Sequence, residues 1–324
     1  MILDLPTLES VEAARRRIAK YILRTPLIRL NGYDPGSQIY LKSENLQPIG
    51  SFKIRPALNA LLSLPTDQLK HGVCTVSSGN FACGVAWAAK LLGVRMATYM
   101  YDDALQVKVD AVRRLGGEVR FVSAERWWRL ICEIEVPQEK EAFIHPVLNP
   151  AVLAANGTIA LEILEDLPDV ECVLLPYGGG SLAVGVGNVF KQKRPLVKII
   201  AVEAEHAAPL SAALSAGRPV SVEVQPSHIQ SIGGPSVLEG IWPLVTRVVD
   251  RSIVMGIDKL SDALRTTFLD AKMIVEPAGG AALAAALSGR SEGGKTVCIA
   301  SGGNIDATDF VSILQGRMPS PPAH

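Results

Sequence analysis

The sequence has no excess of either charge, no long apolar run and no clustered cysteines or histidines. Lysine plus arginine and aspartate plus glutamate both total 32 among the 324 residues, so the formal net charge is zero. Nucleic acids and anionic membranes attract basic surfaces, which argues against either as the main partner. No apolar stretch reaches the roughly 18 residues of a membrane span.

The five cysteines are scattered and form no Cys-x-x-Cys pair, and most lie in apolar runs where free cysteine behaves as a small core residue. The five histidines show no His-x-x-x-His spacing, which gives a transition-metal site little support. The first residues lack a basic segment followed by a long apolar one, so we find no signal peptide. These features together predict a cytoplasmic protein.

The chain is rich enough in hydrophobic residues, at 48%, to bury a large core in one enzyme-sized unit of two lobes. From residue 72 onward, strand-like and helix-like segments alternate, which predicts parallel strands joined by helices. The predicted strands are 72–77, 94–100, 118–122, 170–175, 198–202, 247–254 and 296–300. No repeat or linker is visible, so the two lobes must be interleaved along the chain.

A lysine stands at the most unusual junction of the chain, where the polar segment 42–52 runs into the helix-like segment 57–62. Pro56 lacks an N–H and restricts Arg55, so it fits only in the first turn of a helix. We therefore place Lys53 in the loop just before the regular helix. A lysine in this place can project its amine into a cleft, where desolvation lowers its pKa and makes it a nucleophile able to form a Schiff base. The alternative is an ordinary surface lysine.

Three loops follow predicted strands, at the edge where parallel sheets bind ligands. Ser77–Phe81 offers hydroxyls and N–H groups at a helix start, which suits a carboxylate, although taken alone it is more typical of a simple N-cap with a glycine turn. Residues 176–182 contain three consecutive glycines, whose backbone can approach a phosphate closely. Ser301 ends the last strand, where its hydroxyl can face a ring nitrogen or a substrate, or simply close a turn. A dinucleotide site with Glu203 as its ribose-binding acid competes, but no clean G-x-G-x-x-G is present.

These loops and the lysine turn, in this order, resemble the fold-type II pyridoxal-phosphate (PLP) enzymes, specifically the threonine/serine dehydratase and serine racemase family. The most specific feature is the pattern K-x-E-x-x-Q-x-x-G-S-F-K-x-R, and the similarity covers roughly residues 10–315. The pattern is matched by Lys42, Glu44, Gln47, Gly50, Ser51, Phe52, Lys53 and Arg55. The resemblance implies an α/β fold of two lobes, similar to the tryptophan synthase β subunit, with parallel twisted sheets flanked by helices. Residues 1–68 and 149–324 would form the large PLP-binding domain and 69–148 the small, substrate-closing domain.

The resemblance also implies roles for individual residues. Lys53 would form the internal aldimine beside Phe52, and Ser301 would face the ring nitrogen. Asn80 would bond the 3′ oxygen of the cofactor. The cofactor phosphate would be cradled by Gly178, Gly179, Gly180, Ser181 and Leu182. The substrate carboxylate would be held by Ser77, Asn80 and Phe81.

The activity implied is a dehydratase that removes water from a β-hydroxy-α-amino acid and yields a 2-oxo acid and ammonia. A neutral hydroxyl at the ring nitrogen makes the cofactor a weaker electron sink, which favours loss of the β-substituent over transamination. Lys53 would remove the Cα proton. Ser78 matches a racemase-type serine, a candidate second acid/base, so serine racemisation is the first alternative. A nucleotide-binding protein that uses only the glycine loop is the alternative from another class.

The chain departs from the family pattern near the expected substrate. Phe81 stands where histidine is usual, and Arg126 lies beside the pair Trp127 and Trp128 in a region that is near the substrate in the family. A larger, aromatic side-chain pocket, as for 3-phenylserine, is one interpretation. Packing of both tryptophans between a helix and the sheet is the other.

The resemblance suggests a cation site and a dimer. Glu203 matches the acid at which the family's cation site begins, and Ala207 would add its backbone carbonyl. Pro209 stands where the family may use a carboxylate, which leaves a divalent ion, a potassium-like ion or no ion as alternatives. Family members are usually dimers, so we expect a homodimer, and the segment that contains Glu276 supports the site.

Overall fold

The computed structural model describes residues 3–30, 38–104, 106–133, 140–229, 231–291 and 294–319. Within them the strands form a six-stranded and a four-stranded sheet. The strands are β1 (Leu27–Arg29), β2 (Ile39–Lys42), β3 (Val73–Val76), β4 (Met96–Tyr101), β5 (Glu118–Val122), β6 (Ala142–Ile144), β7 (Cys172–Pro176), β8 (Lys198–Ala204), β9 (Arg251–Met255) and β10 (Thr296–Ile299).

Helices separate most of these strands along the chain. They are α1 (Leu8–Ile18), α2 (Ile54–Ser63), α3 (Thr66–Leu69), α4 (Asn80–Leu92), α5 (Gln106–Arg114), α6 (Ala124–Ile131), α7 (Pro150–Asp166), α8 (Ser181–Lys193), α9 (Pro209–Ala216), α10 (Trp242–Val248), α11 (Ile257–Ala271), α12 (Pro277–Leu287) and α13 (Ala307–Leu314). None of the helices in the described ranges is long and apolar enough to cross a membrane.

The large sheet has the order β1-β2-β10-β7-β8-β9, and the small sheet has the order β5-β4-β3-β6. Every pairing is parallel except that of β1 with β2. The predicted α/β class with parallel sheets flanked by helices is confirmed. All strands of the small sheet lie between residues 73 and 144, inside the predicted small domain, while the exact domain boundaries stay a prediction.

The large sheet is buried on both faces, as parallel sheets usually are. Along β7, Val173 and Leu175 join one apolar cluster, and Cys172 and Leu174 join another on the opposite side. This alternation is the period of two of a strand, with helices covering each face. The sheet is therefore a rigid interior layer whose edge loops can hold a site.

The strand predicted for 247–254 is wrong in its first half, because residues up to Val248 form α10 and β9 begins only at Arg251. Buried Ile241, Leu244, Val245 and Val248 recur at helical spacing. The β-branched residues at 248–249 suggested a strand, but burial of this helical face determined the structure.

Candidate active site

The lysine turn is tied to the loop that follows the last strand. Lys53 immediately precedes α2, and Pro56 falls in the first turn of that helix, as predicted. The Phe52 N–H donates to the Ser301 carbonyl at 3.0 Å, and Ser51 forms a β-bridge with Gly302. Since β10 lies between β2 and β7 in parallel register, the segments after these three strands meet at one edge. The structure thus brings together the lysine, Ser301 and the glycine loop.

The Lys53 amine lies among aromatic rings. Its Nζ is 4.8 Å from the Phe52 ring centroid and 5.7 Å from that of Phe81. Burial lowers the pKa of Lys53 to about 8, against the opposing attraction of Glu276. At pH 7 about a tenth of such an amine is neutral, against roughly three in ten thousand at the ordinary value. This lowered pKa is the property that the predicted Schiff-base lysine needs.

A buried ion network lies beneath the lysine turn and accounts for most of the charged residues in the sequence motif. The Arg55 guanidinium bonds Glu44 at 2.8 Å and Glu162 at 2.7 Å, and Lys42 Nζ bonds Glu162 at 2.5 Å. Two cations thus face two carboxylates. All four side chains are buried, and the most exposed of them, Glu162, has an exposed fraction of 6%. This balanced cluster anchors the start of α2 to α7 and holds Lys53 in place.

The glycine loop forms a cradle at the start of α8. Gly180 adopts φ +93°, a conformation that side chains disfavour. A Cβ built on Gly179 would lie 2.5 Å from Val147 Cγ2, and one on Gly178 would lie 3.1 Å from the Ser231 carbonyl. Ser181 and Leu182, the first two helical residues, add N–H groups at the positive end of a 13-residue helix. The loop suits a phosphate.

Another loop of the site lies between β3 of the small sheet and α4. Asn80 begins α4, and its amide nitrogen donates to Glu276 Oε1 at 2.7 Å, while its oxygen accepts from Asn304 Nδ2 at 2.8 Å. A Cβ on Gly84 would lie 2.9 Å from the Lys53 carbonyl, so α4 packs closely against the lysine turn. These contacts place Asn80 and Phe81 beside the lysine and join the two sheets across the site.

The two serines before Asn80 differ in their surroundings. Ser77 Oγ accepts from the Gly79 N–H at 3.3 Å. Ser78 is only 9% exposed, and in the described part of the chain its hydroxyl has no hydrogen-bond partner within normal distance, with the Tyr101 hydroxyl as a polar neighbour. A buried hydroxyl left without a partner is costly unless a ligand completes it.

The segment Arg126–Trp128 lies on α6. Trp127 stacks edge-to-face on Tyr101 with centroids 5.6 Å apart, and both tryptophans pack against the core, as the second interpretation held. Arg126 is exposed, and the substrate role expected for it stays a prediction.

Glu203 is engaged in the fold itself. Its carboxylate accepts from the N–H groups of Leu210 and Ser211 at 2.7 and 2.8 Å and from Ser252 Oγ at 2.7 Å. Glu203 therefore caps α9, because the methyl side chain of the N-cap residue Ala208 cannot accept a hydrogen bond. No group of three histidine, cysteine or acidic side chains is arranged for a metal among the residues that the structure describes. The cation site at Glu203 and Ala207 stays an untested prediction.

Two features of the site went beyond what the sequence predicted, namely the contacts of Glu276 and the neighbouring cavity. Glu276 is buried, with its pKa raised by desolvation, and it also bonds Ser231 Oγ at 3.1 Å. A cavity of about 570 Å³ opens beside Asn80 and Glu276, with walls from both lobes that include Lys108 of α5 and Ile229. Only the Glu-Pro-Ala-Gly segment hinted at Glu276.

The comparisons with known proteins agree with this geometry. Residues 18–302 match the model of the pyridoxal-phosphate dependent enzymes, and the chain belongs to that family. Within it, the chain belongs to the fold-type II group of threonine/serine dehydratases and serine racemases. It is 37% identical to the L-threonine ammonia-lyase of Geobacter sulfurreducens, over 94% of this chain and 77% of that protein. It is 34% identical to the serine racemase of Oryza sativa subsp. indica, over 92% and 91%. The crystal structure of the T.th. threonine deaminase superposes with a TM-score of 0.85 at 35% identity, covering 93% of this chain and 99% of that one.

The cofactor of the family is pyridoxal phosphate, and the residues at the site fit it chemically. Lys53 provides an amine for the aldehyde, and the loop from Gly178 to Gly180 provides N–H groups and open space for the phosphate. Ser301 is buried at the same sheet edge and can meet the ring nitrogen with a neutral hydroxyl. A nucleotide-binding interpretation of the glycine loop would use none of the lysine turn.

Proposed function

We propose that this protein is a PLP-dependent lyase that eliminates water from a β-hydroxy-α-amino acid, yielding a 2-oxo acid and ammonia. The observation that carries the proposal is the Lys53 amine, with a pKa of about 8, at the edge where the glycine loop and Ser301 also lie. Relatives named threonine ammonia-lyase and threonine deaminase support the same reaction.

The bound cofactor supplies the electron sink that acidifies the Cα–H bond of the substrate. Lys53 would hold the cofactor through its amine and, when that amine is free, would take up the Cα proton, since burial lowers its pKa to about 8. The rings of Phe52 and Phe81 lie beside the amine and supply part of its apolar surroundings. We assign the phosphate to the backbone of Gly178, Gly179, Gly180, Ser181 and Leu182, the ring nitrogen to Ser301, and the 3′ oxygen to Asn80.

The substrate carboxylate is proposed to bind at Ser77, Asn80 and Phe81, at the start of α4. Backbone N–H groups at this helix start are the donors that a carboxylate needs. The test is 2-oxo acid release from serine, threonine and 3-phenylserine by the purified protein. Release that is lost in Lys53→Ala supports the proposal, and release unaffected by that change refutes it.

Racemisation is a second candidate function, and the buried Ser78 hydroxyl without a described partner favours it. A second acid/base on the face opposite Lys53 is what proton return with inversion requires. Loss of enantiomer exchange in Ser78→Ala, with 2-oxo acid release retained, is the expected result. Equal loss of both reactions would remove this candidate.

The preference for an aromatic β-substituent is a finer proposal, supported by Phe81 at the amine and by the Tyr101–Trp127 pair near Ser78. Replacing Phe81 by histidine should shift the ratio of kcat/KM for 3-phenylserine over threonine by about tenfold toward threonine. An unchanged ratio would exclude Phe81 as a determinant of this preference.

The family also leads us to propose that the protein is a cytoplasmic homodimer. Light scattering would test its oligomeric state.

A further inference from the structure

The Glu276 carboxylate forms its side-chain hydrogen bonds across the site and not with its own helix. It stands at the N-cap of α12 but makes no side-chain bond to that helix. Its two oxygens instead accept from Asn80 Nδ2 at 2.7 Å and from Ser231 Oγ at 3.1 Å. The residue is 7% exposed. Burying a carboxyl group is costly, so the contacts that it makes there must offset the cost.

The amide of Asn80 is constrained at both ends. A carboxylate can only accept hydrogen bonds, so Glu276 must face the amino end of Asn80. At the other end, Asn304 Nδ2 donates to the Ile49 carbonyl at 2.9 Å and to Asn80 Oδ1 at 2.8 Å, which uses both of its hydrogens. Two independent partners therefore select the same orientation of one side chain.

Glycines leave room for this arrangement. A Cβ on Gly302 would lie 2.4 Å from Glu276 Oε1 and 3.3 Å from Asn80 Nδ2. A Cβ on Gly279 would lie 2.1 Å from the Gly302 carbonyl, so α12 and the loop after β10 approach as closely as backbones allow. Of the two hydrogens on Asn80 Nδ2, one bonds Glu276, and the second is available to a ligand.

We propose that Glu276 is a positioning residue, whose carboxylate fixes the Asn80 amide with its N–H toward the bound cofactor. The proposal rests on the proposed function, in which Asn80 meets the 3′ oxygen. An N–H at that oxygen stabilises its anionic form, whereas a flipped amide would present a carbonyl and favour the protonated form. Glutamine at position 276 offers both a donor and an acceptor, so it would no longer select the orientation of Asn80, which would then depend on Asn304 alone.

The test is a double-mutant cycle on the PLP-loaded protein with Glu276→Gln, Asn80→Ala and the double variant. Glu276→Gln should lower kcat by about tenfold and shift the visible spectrum of the bound cofactor toward its short-wavelength band. Because Glu276 acts through Asn80, the double variant should be no worse than Asn80→Ala alone. Glu239→Gln, the same change at an exposed site, should leave the spectrum and kcat unchanged.

Gly302→Ala is a second route to the same effect, since its methyl group would push Glu276 and Asn80 apart, and it should shift the spectrum in the same direction. A wild-type spectrum in both Glu276→Gln and Gly302→Ala, or multiplicative losses in the double variant, would overturn the inference. If the wild-type protein did not attach PLP at all, the proposed function would fail instead, so the two failures are distinguishable.

Discussion

Removing one charge from the network under the lysine turn should unbalance it. Lys42 and Arg55 face Glu44 and Glu162, so the buried charges sum to zero. Glu162→Gln keeps the shape and leaves one uncompensated positive charge. Lys42→Met leaves one negative charge, and the two changes together restore neutrality.

Breaking a buried ion pair from one side costs about 3–5 kcal/mol. The unfolding entropy of a chain of this length is about 0.7 kcal/mol/K near 60 °C, so Glu162→Gln should lower Tm by about 4–7 °C. Glu165→Gln is the matched control on the same helix, because Glu165 pairs with Arg15 and Arg24 at the surface. An exposed pair contributes at most about 1 kcal/mol, so the control should lose about 1.5 °C or less.

Differential scanning calorimetry of the four proteins and the control measures these shifts. The double variant Lys42→Met/Glu162→Gln should lose less Tm than the sum of the two single losses, because it buries no net charge. Additive losses, or a Glu162→Gln shift no larger than that of Glu165→Gln, would refute the view that charge balance stabilises the turn.

Three further predictions concern the site and the stability of the fold. Since burial lowers the pKa of Lys53 to about 8, covalent attachment of PLP to the apo-protein should accelerate from pH 7 to about pH 9 and then level off, and a rate that keeps rising toward pH 10.5 would contradict that environment. Burial lowers the pKa of His145 to about 4, and its Nδ1 accepts from the N–H groups of Val147 and Leu148. Because the unfolded state binds this proton more readily, wild-type stability should fall as the pH drops from about 6.5 to 4, and urea unfolding of His145→Asn should show a weaker decline. Gly180→Ala should weaken PLP binding by at least about tenfold, as measured by equilibrium dialysis, because alanine is strained at φ +93°, whereas Gly217→Ala, at a similar φ outside the site, should bind PLP normally.

Much of the site was predictable because its signals are local. The glycine run and Ser301 each follow a short apolar strand, and Pro56 marks where α2 begins, so the places of Gly178–Gly180, Ser301 and Lys53 follow from short-range rules. The parallel order of the strands then brings the loops to one edge.

The partners of these residues were not predictable, since they lie far away along the chain. Glu162 is 107 residues from Arg55, and Glu276 is 196 residues from Asn80. No periodicity or spacing connects such pairs, and it is the packing of α7 against α2 and of α12 against the large sheet that brings them into contact. The identity of Glu203 suggested a ribose or cation ligand, whereas its role in capping α9 depends on the turn at Ala208.

The most direct test of the central claim is to reduce the PLP-loaded protein with borohydride, digest it and locate the phosphopyridoxyl group by mass spectrometry. The predicted result is modification of Lys53 in nearly all of the labelled protein. Lys108 is the informative competitor, because it lines the neighbouring cavity and burial lowers its pKa as well. A label on Lys108, or one spread over surface lysines, would contradict the assignment of Lys53 as the cofactor-binding lysine.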